Sequence, residues 1–91
     1  MQHKNEQTKY LAKVLGSLIK EQRIKICNCS INKFAHEFDL DVGNMSRIEN
    51  GLTDIKLVTL WKISEALNIK LSDLIILTEN TVGENFHFYD A

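Results

Sequence analysis

The chain has 91 residues, no proline, 44% hydrophobic residues and a formal net charge of −1. This length fits one small domain with a modest core, and a near-neutral charge excludes nucleic-acid binding driven by bulk charge alone. No stretch is apolar for the length of a membrane span and MQHKNEQTKY lacks the apolar core of a signal peptide, so the reading is no membrane and a cytoplasmic location.

Residues 1–8 are polar and read as a flexible N-terminal segment. Helix one is predicted from about Lys9 to about Lys25, because Leu11, Val14, Leu15, Leu18 and Ile19 recur at spacings of three and four and form one apolar stripe. Ile26, Cys27, Asn28 and Cys29 lead to Ser30, whose hydroxyl suits an N-cap. Helix two then spans Ile31 to Phe38, its first backbone N–H groups pointing outward, where a phosphate oxygen binds readily. Asp39-Leu40-Asp41 breaks this helix, with Leu40 placed to plug the inside of the turn. Asp41 caps helix three, predicted over Val42 to Asn50 with Met45 and Ile48 on its buried side, and Gly51 ends it in the left-handed conformation.

After a loop over 52–56, helix four spans about Leu57 to Leu67, with Leu57, Leu60, Ile63, Ser64 and Leu67 as its inward face. Helix five is short, Leu71 to Leu77, and carries more apolar residues than one buried stripe needs. Some of Leu71, Leu74, Ile75, Ile76 and Leu77 therefore face a partner. In the closing NFHFYDA, Phe86 and Phe88 alternate with polar residues, a pattern that suits a short strand or a docked arm.

Cys27 and Cys29 are separated by one residue, too close for a comfortable structural disulfide, and no second pair or nearby His completes a tetrahedral metal site. They read as reduced thiols, with a redox or metal sensor as the alternative. His3, His36 and His87 show no ligand spacing, so no metal and no cofactor is read. Basic residues lead through Lys33 and acids dominate afterwards, a segregation that fits a protein with one DNA-facing side. No Gly-rich phosphate loop or nucleophile–base pair appears, which sets an enzyme last among the function classes.

Two short helices with the small Ala35 at their crossing, a plugged turn and a closing Glu49-Asn50-Gly51 make a helix-turn-helix. From Leu15 to Leu77 the chain resembles the five-helix DNA-binding domain of the phage-repressor and Cro type, often called Xre-like. The residues that carry the resemblance are Arg23 late in helix one, Ser30, Phe34-Ala35, Asp39-Leu40-Asp41, Met45-Ser46-Arg47-Ile48-Glu49-Asn50-Gly51, and Leu57-Val58-Thr59-Leu60. It implies an all-α, compact five-helix bundle of the lambda-repressor-like type. The helix-turn-helix domain then covers residues 9–78, and residues 79–91 form a C-terminal tail able to act as a dimer arm.

By the same resemblance Val42, Gly43, Asn44 and Arg47 are base-contacting residues. Arg47 suits the O6 and N7 of guanine and Asn44 suits adenine; the alternatives are a phosphate contact or a pair with Glu37 for Arg47, and a bond within its own helix for Asn44. Ser30, Lys33, Ser46, Asn50 and Lys56 would contact phosphate, and Arg23 and Glu49 would form a structural ion pair tying helix one to helix three. Leu74, Ile75, Leu77, Phe86, Phe88 and Tyr89 make the dimer surface, the tail either exchanging with a partner or folding back over its own core.

The chain departs from the family pattern at Ile31, where a Gln is usual; at Asp39, where Gly is favoured; and in the loop Leu52-Thr53-Asp54-Ile55, where relatives often place Arg or Lys. The connection between Arg23 and Ser30 is also about one residue longer than usual. The function implied is a sequence-specific DNA-binding transcriptional regulator, a repressor that binds a palindromic operator on double-stranded DNA as a homodimer. The alternative is a protein-binding module with a protein partner, such as an antitoxin or antirepressor. Controllers of restriction-modification operons share this small dimeric build.

Overall fold

The computed structural model describes residues 2–89, with side chains from residue 6 onward. Five α-helices follow in chain order: α1 (Gln2–Cys27), α2 (Ile31–Glu37), α3 (Val42–Glu49), α4 (Leu57–Ala66) and α5 (Leu71–Val82), and the described residues contain no strand. The all-α architecture is thus as read from the apolar spacing. The three middle helices keep their predicted bounds to within a residue, with Phe38, Asn50 and Leu67 serving as C-caps. These bounds are set by local chemistry. Ser30 Oγ accepts from Lys33 N–H at 3.1 Å, Asp41 Oδ2 accepts from Asn44 N–H at 2.7 Å, and Gly51 takes φ 69° just past the end of α3.

The outer helices are longer than predicted. α1 begins at Gln2, so residues 2–8 are helical rather than a flexible segment. Their sequence holds no Gly or Pro, and the chain's other end secures them: Gln7 Nε2 donates to the His87 carbonyl at 2.5 Å, and the Tyr10 and Phe86 rings lie 5.8 Å apart. α5 runs on through Val82 until Gly83 turns the chain with φ 86°. The Phe86–Phe88 alternation forms a docked arm without a strand, Phe88 meeting Phe86 edge-on at 5.4 Å. In this single chain the tail folds back on α1; Asp90 and Ala91 of the closing heptapeptide lie outside the described residues.

Ile19 of α1, Phe34 of α2, Met45 and Ile48 of α3, Leu60, Ile63 and Leu67 from α4, and Leu74 of α5 form one buried cluster. Leu15, Leu40, Ile55 and Leu71 pack around it. Two assignments change. Leu57 is 64% exposed, because it opens α4 at a position nothing covers, and so leaves the inward face to Leu60, Ile63, Ser64 and Leu67. Leu74 is fully buried and belongs to the core, which removes it from the dimer surface; the apolar surplus on α5 is Ile75, Ile76 and Leu77.

A close helix crossing was not read from sequence. α1 crosses α3 at Gly16, where an added Cβ would lie 2.1 Å from the Ile48 carbonyl oxygen. No side chain fits there without separating the two helices. Gly16→Ala should therefore destabilise the chain by about 1–3 kcal/mol as an overpacked core substitution, read from the midpoint of urea unfolding. Ser17→Ala, on the exposed side of the same turn, should stay within about 0.5 kcal/mol of wild type.

Candidate nucleic-acid interface

The turn between α2 and α3 is built by three short-range features. Leu40 N–H donates to the Ala35 carbonyl at 2.7 Å, Asp39 adopts φ 55°, and Leu40 turns its side chain into the core. Asp is among the few types beside Gly that tolerate a positive φ, so the departure from Gly at Asp39 leaves the turn intact. It also leaves a carboxylate on the outer surface. Lys62 of α4 lines the same shallow groove as Asp39 and Asp41, which offsets part of their charge. Lys62 was not assigned to the interface from sequence, although it is one of the few basic residues after Lys33; its place three residues after Thr59 puts both on that groove.

α3 has two unlike faces. Met45, Ile48 and Glu49 are buried, while Val42, Gly43 and Arg47 are exposed and Asn44 is half-exposed. A Cβ on Gly43 would sit 3.6 Å from Arg47 Nη1, so the guanidinium lies along the helix over the glycine. Among the described residues the Arg47 side chain makes no hydrogen bond or ion pair, with Glu37 or any other acid. Its five donors are therefore unengaged. Asn44 uses its backbone N–H on the Asp41 cap and leaves its side-chain amide unbonded among the described residues.

The residues read as phosphate contacts surround this face to different degrees. Ser30 and Lys33 are exposed at the start of α2, Ser46 is half-buried, and Lys56 is exposed as the N-cap residue of α4. Asn50 is otherwise engaged. Its Nδ2 donates to the Ser46 carbonyl at 2.9 Å and approaches Ser46 Oγ at 3.5 Å, tying down the last turn of α3.

Behind α3 lies a buried ion pair. Arg23 Nε donates to Glu49 Oε2 at 2.7 Å and Arg23 Nη2 to Glu49 Oε1 at 2.9 Å, a two-pronged contact of the strong kind. The hydrogen bonds that Arg23 donates to Glu49 raise its pKa above the ordinary value, more than burial lowers it. Arg23 Nη1 also donates to the Cys29 carbonyl. No buried side-chain polar atom among the described residues lacks a partner.

The Cys29 contact comes with a correction. The Cys27 and Cys29 sulfurs are bonded as a disulfide rather than reduced. The spacing argument overlooked Asn28, whose φ of 50° folds the connection so that the two Cα atoms lie 5.2 Å apart, within the range a disulfide spans. Among the described residues no group of three or more His, Cys, Asp or Glu could hold a metal ion, and no helix is long and apolar enough to cross a membrane.

A capped two-helix turn, an anchored inner face on α3 and an exposed outer face with an unpaired Arg are the parts of a DNA-binding helix-turn-helix. Residues 17–80 match the Cro/C1-type HTH DNA-binding domain. The chain belongs to that family. It is 42% identical over 59 residues to Control protein C.MunI of Mycoplasma sp, covering 65% of this chain and 80% of the relative. It is 34% identical over 70 residues to Control protein C.BamHI of Bacillus amyloliquefaciens, covering 77% and 84%. No solved structure matches.

A Cro/C1-type chain is a DNA-binding regulator, and here the domain carries two additions: the start of α1 and the tail after α5 lie outside the matched residues and pack against one another. The Arg23–Glu49 pair is inside the match and holds α3 in place. Removing one partner leaves a buried charge without compensation. Arg23→Ala should cost about 3–5 kcal/mol of unfolding free energy, measured by urea titration.

Proposed function

We propose that this chain is a sequence-specific transcriptional regulator, a repressor that binds a palindromic operator as a homodimer with α3 in the major groove. The observation that carries this reading is the outer face of α3, where Arg47 lies unpaired over Gly43 while the opposite face is fixed by Met45, Ile48 and the Arg23–Glu49 pair. A rigid backing with free donors in front is what direct readout of base edges requires. Arg47 reads a guanine, Asn44 an adenine, and Val42 packs on a thymine methyl; Gly43 lets the helix lie close. Ser30, Lys33, Ser46 and Lys56 fix the register on phosphates, and Asn50 contributes through what its bonds to Ser46 leave free.

One domain of this size covers about one half-site, and half-sites lie roughly 34 Å apart, so a second copy is needed. Trp61 of α4 with Ile69, Leu71, Ile75 and Ile76 lines an open, mainly apolar groove of about 860 Å³ between α4 and α5, and Trp61 and Ile76 are each half-exposed. This face seats the twofold partner, and Leu77, Phe88 and Tyr89 are further exposed apolar residues open to it. Both relatives carry the name control protein, which supports a regulatory role over that of an antitoxin. The setting we propose is control of a restriction-modification operon.

Selection of bound sequences from a random duplex pool tests the reading. A palindromic site should emerge, and Arg47→Ala should lose about 1–3 kcal/mol of discrimination at one base pair per half-site. Lys33→Ala should instead weaken all sequences alike and lower the salt slope by about 1. Enrichment of no site, with weak binding that disappears as salt rises, would turn the search to a protein partner. Ile76→Asp should shift the sedimentation coefficient to that of a monomer and weaken operator binding, while keeping the helical circular-dichroism signal of wild type because Ile76 is half-exposed.

A further inference from the structure

We infer that Cys27 and Cys29 form a reversible thiol–disulfide site whose state sets the affinity of the chain for DNA, acting on α3 through the Cys29 carbonyl, Arg23 and Glu49. The inference rests on the reading that α3 faces DNA.

The two sulfurs occupy unlike positions. Cys27 is exposed at the end of α1, where a reagent reaches it, and Cys29 is half-buried against the core. The carbonyl of Cys29 is the third acceptor of the Arg23 guanidinium, whose other bonds hold Glu49 in the last turn of α3. The next residue, Ser30, caps α2. One end of the S–S bond is therefore in solvent and the other is on the residue that completes a buried ion-pair network. Asn28, at φ 50°, makes the turn that brings the two cysteines together.

The chemistry is ordinary exchange. The thiolate of an external dithiol attacks the Cys27 sulfur, the S–S bond breaks, and Cys29 leaves as a thiolate that takes up a proton. The second thiol of the reductant then attacks the mixed disulfide and releases Cys27 as a thiol. Two electrons pass to the protein and the reductant ends as a cyclic disulfide. Oxidised glutathione reverses the change, releasing two molecules of reduced glutathione. On reduction the connection relaxes, Arg23 Nη1 loses its backbone acceptor, and α3 loses part of the fixation that readout needs.

The test measures binding of a labelled mixed-sequence duplex, and of any duplex enriched by selection, to protein poised with oxidised glutathione or with dithiothreitol. Thiol titration runs in parallel. The oxidised chain should show no titratable thiol and bind at least about fivefold more tightly than the reduced chain, the low end of ordinary coupling between sites. C27S/C29S should bind like the reduced chain under both conditions, and its unfolding midpoint shows that it remains folded. Equal binding by both redox states and by the double variant overturns the inference and leaves the DNA reading standing. Persistence of two free thiols after oxidation overturns it as well. Failure of every form to bind any duplex overturns the DNA reading and the inference with it.

Discussion

The two-pronged bond between Arg23 and Glu49 joins the first helix of the chain to the third, and the orientation of everything that faces outward from α3 depends on it. Taking two charges out of water is costly, and a buried pair repays that only when its geometry is good and its remaining donors are satisfied. Both conditions hold here: the carboxylate meets the Nε–Nη2 edge of the guanidinium, and a further donor goes to the Cys29 carbonyl. Two turns earlier on α1, Gly16 lets the two backbones approach until the Ile48 carbonyl occupies the space a side chain would need. Close approach at one point and a directional ion pair at another fix both the distance and the rotation of α3. A hydrophobic contact alone would leave the rotation freer, since it has no preferred direction.

From that fixation follows the division of labour on α3. Its inner residues are spent on the core and on the ion pair, so the outer ones are free of structural duty, and Arg47 has no partner within the described chain. The same economy appears at the other end of the molecule. The start of α1 and the tail beyond α5 lie outside the Cro/C1-type domain and satisfy one another through Gln7, Tyr10, Phe86 and the His87 carbonyl. The α4–α5 face around Trp61 and Ile76 stays open. The proposed DNA-facing and partner-facing surfaces thus lie on different helices, an arrangement in which association and readout would not compete for the same residues.

Features set by neighbouring residues were legible in the sequence. The caps at Ser30 and Asp41, the left-handed Asp39 and Gly51 and the buried Ala35 all follow from chemistry within a few positions, and α2 to α4 were placed by them. Features set by distant contacts were not. The start of α1 depends on a bond between residues 80 positions apart, which periodicity cannot register. Gly16 carries no local signal, and only the crossing with α3 gives it meaning. In α5 the run of apolar residues concealed which of them was core, so Leu74 was assigned outward while it packs inward. The cysteines were misread for a local reason, because one residue with positive φ is enough to close the gap between them. The base-reading role of Val42, Gly43, Asn44 and Arg47 came from family likeness, and the fold adds to it their exposure on one side of α3.

The most direct measurement is a map of amide chemical-shift changes across the isotope-labelled chain as duplex DNA is added at low salt. The account predicts the largest changes at residues 30–33 and 41–47, with little change along the buried face of α1 around Gly16 and Ile19. Changes concentrated on α4 and α5, with residues 41–47 unmoved, would contradict it.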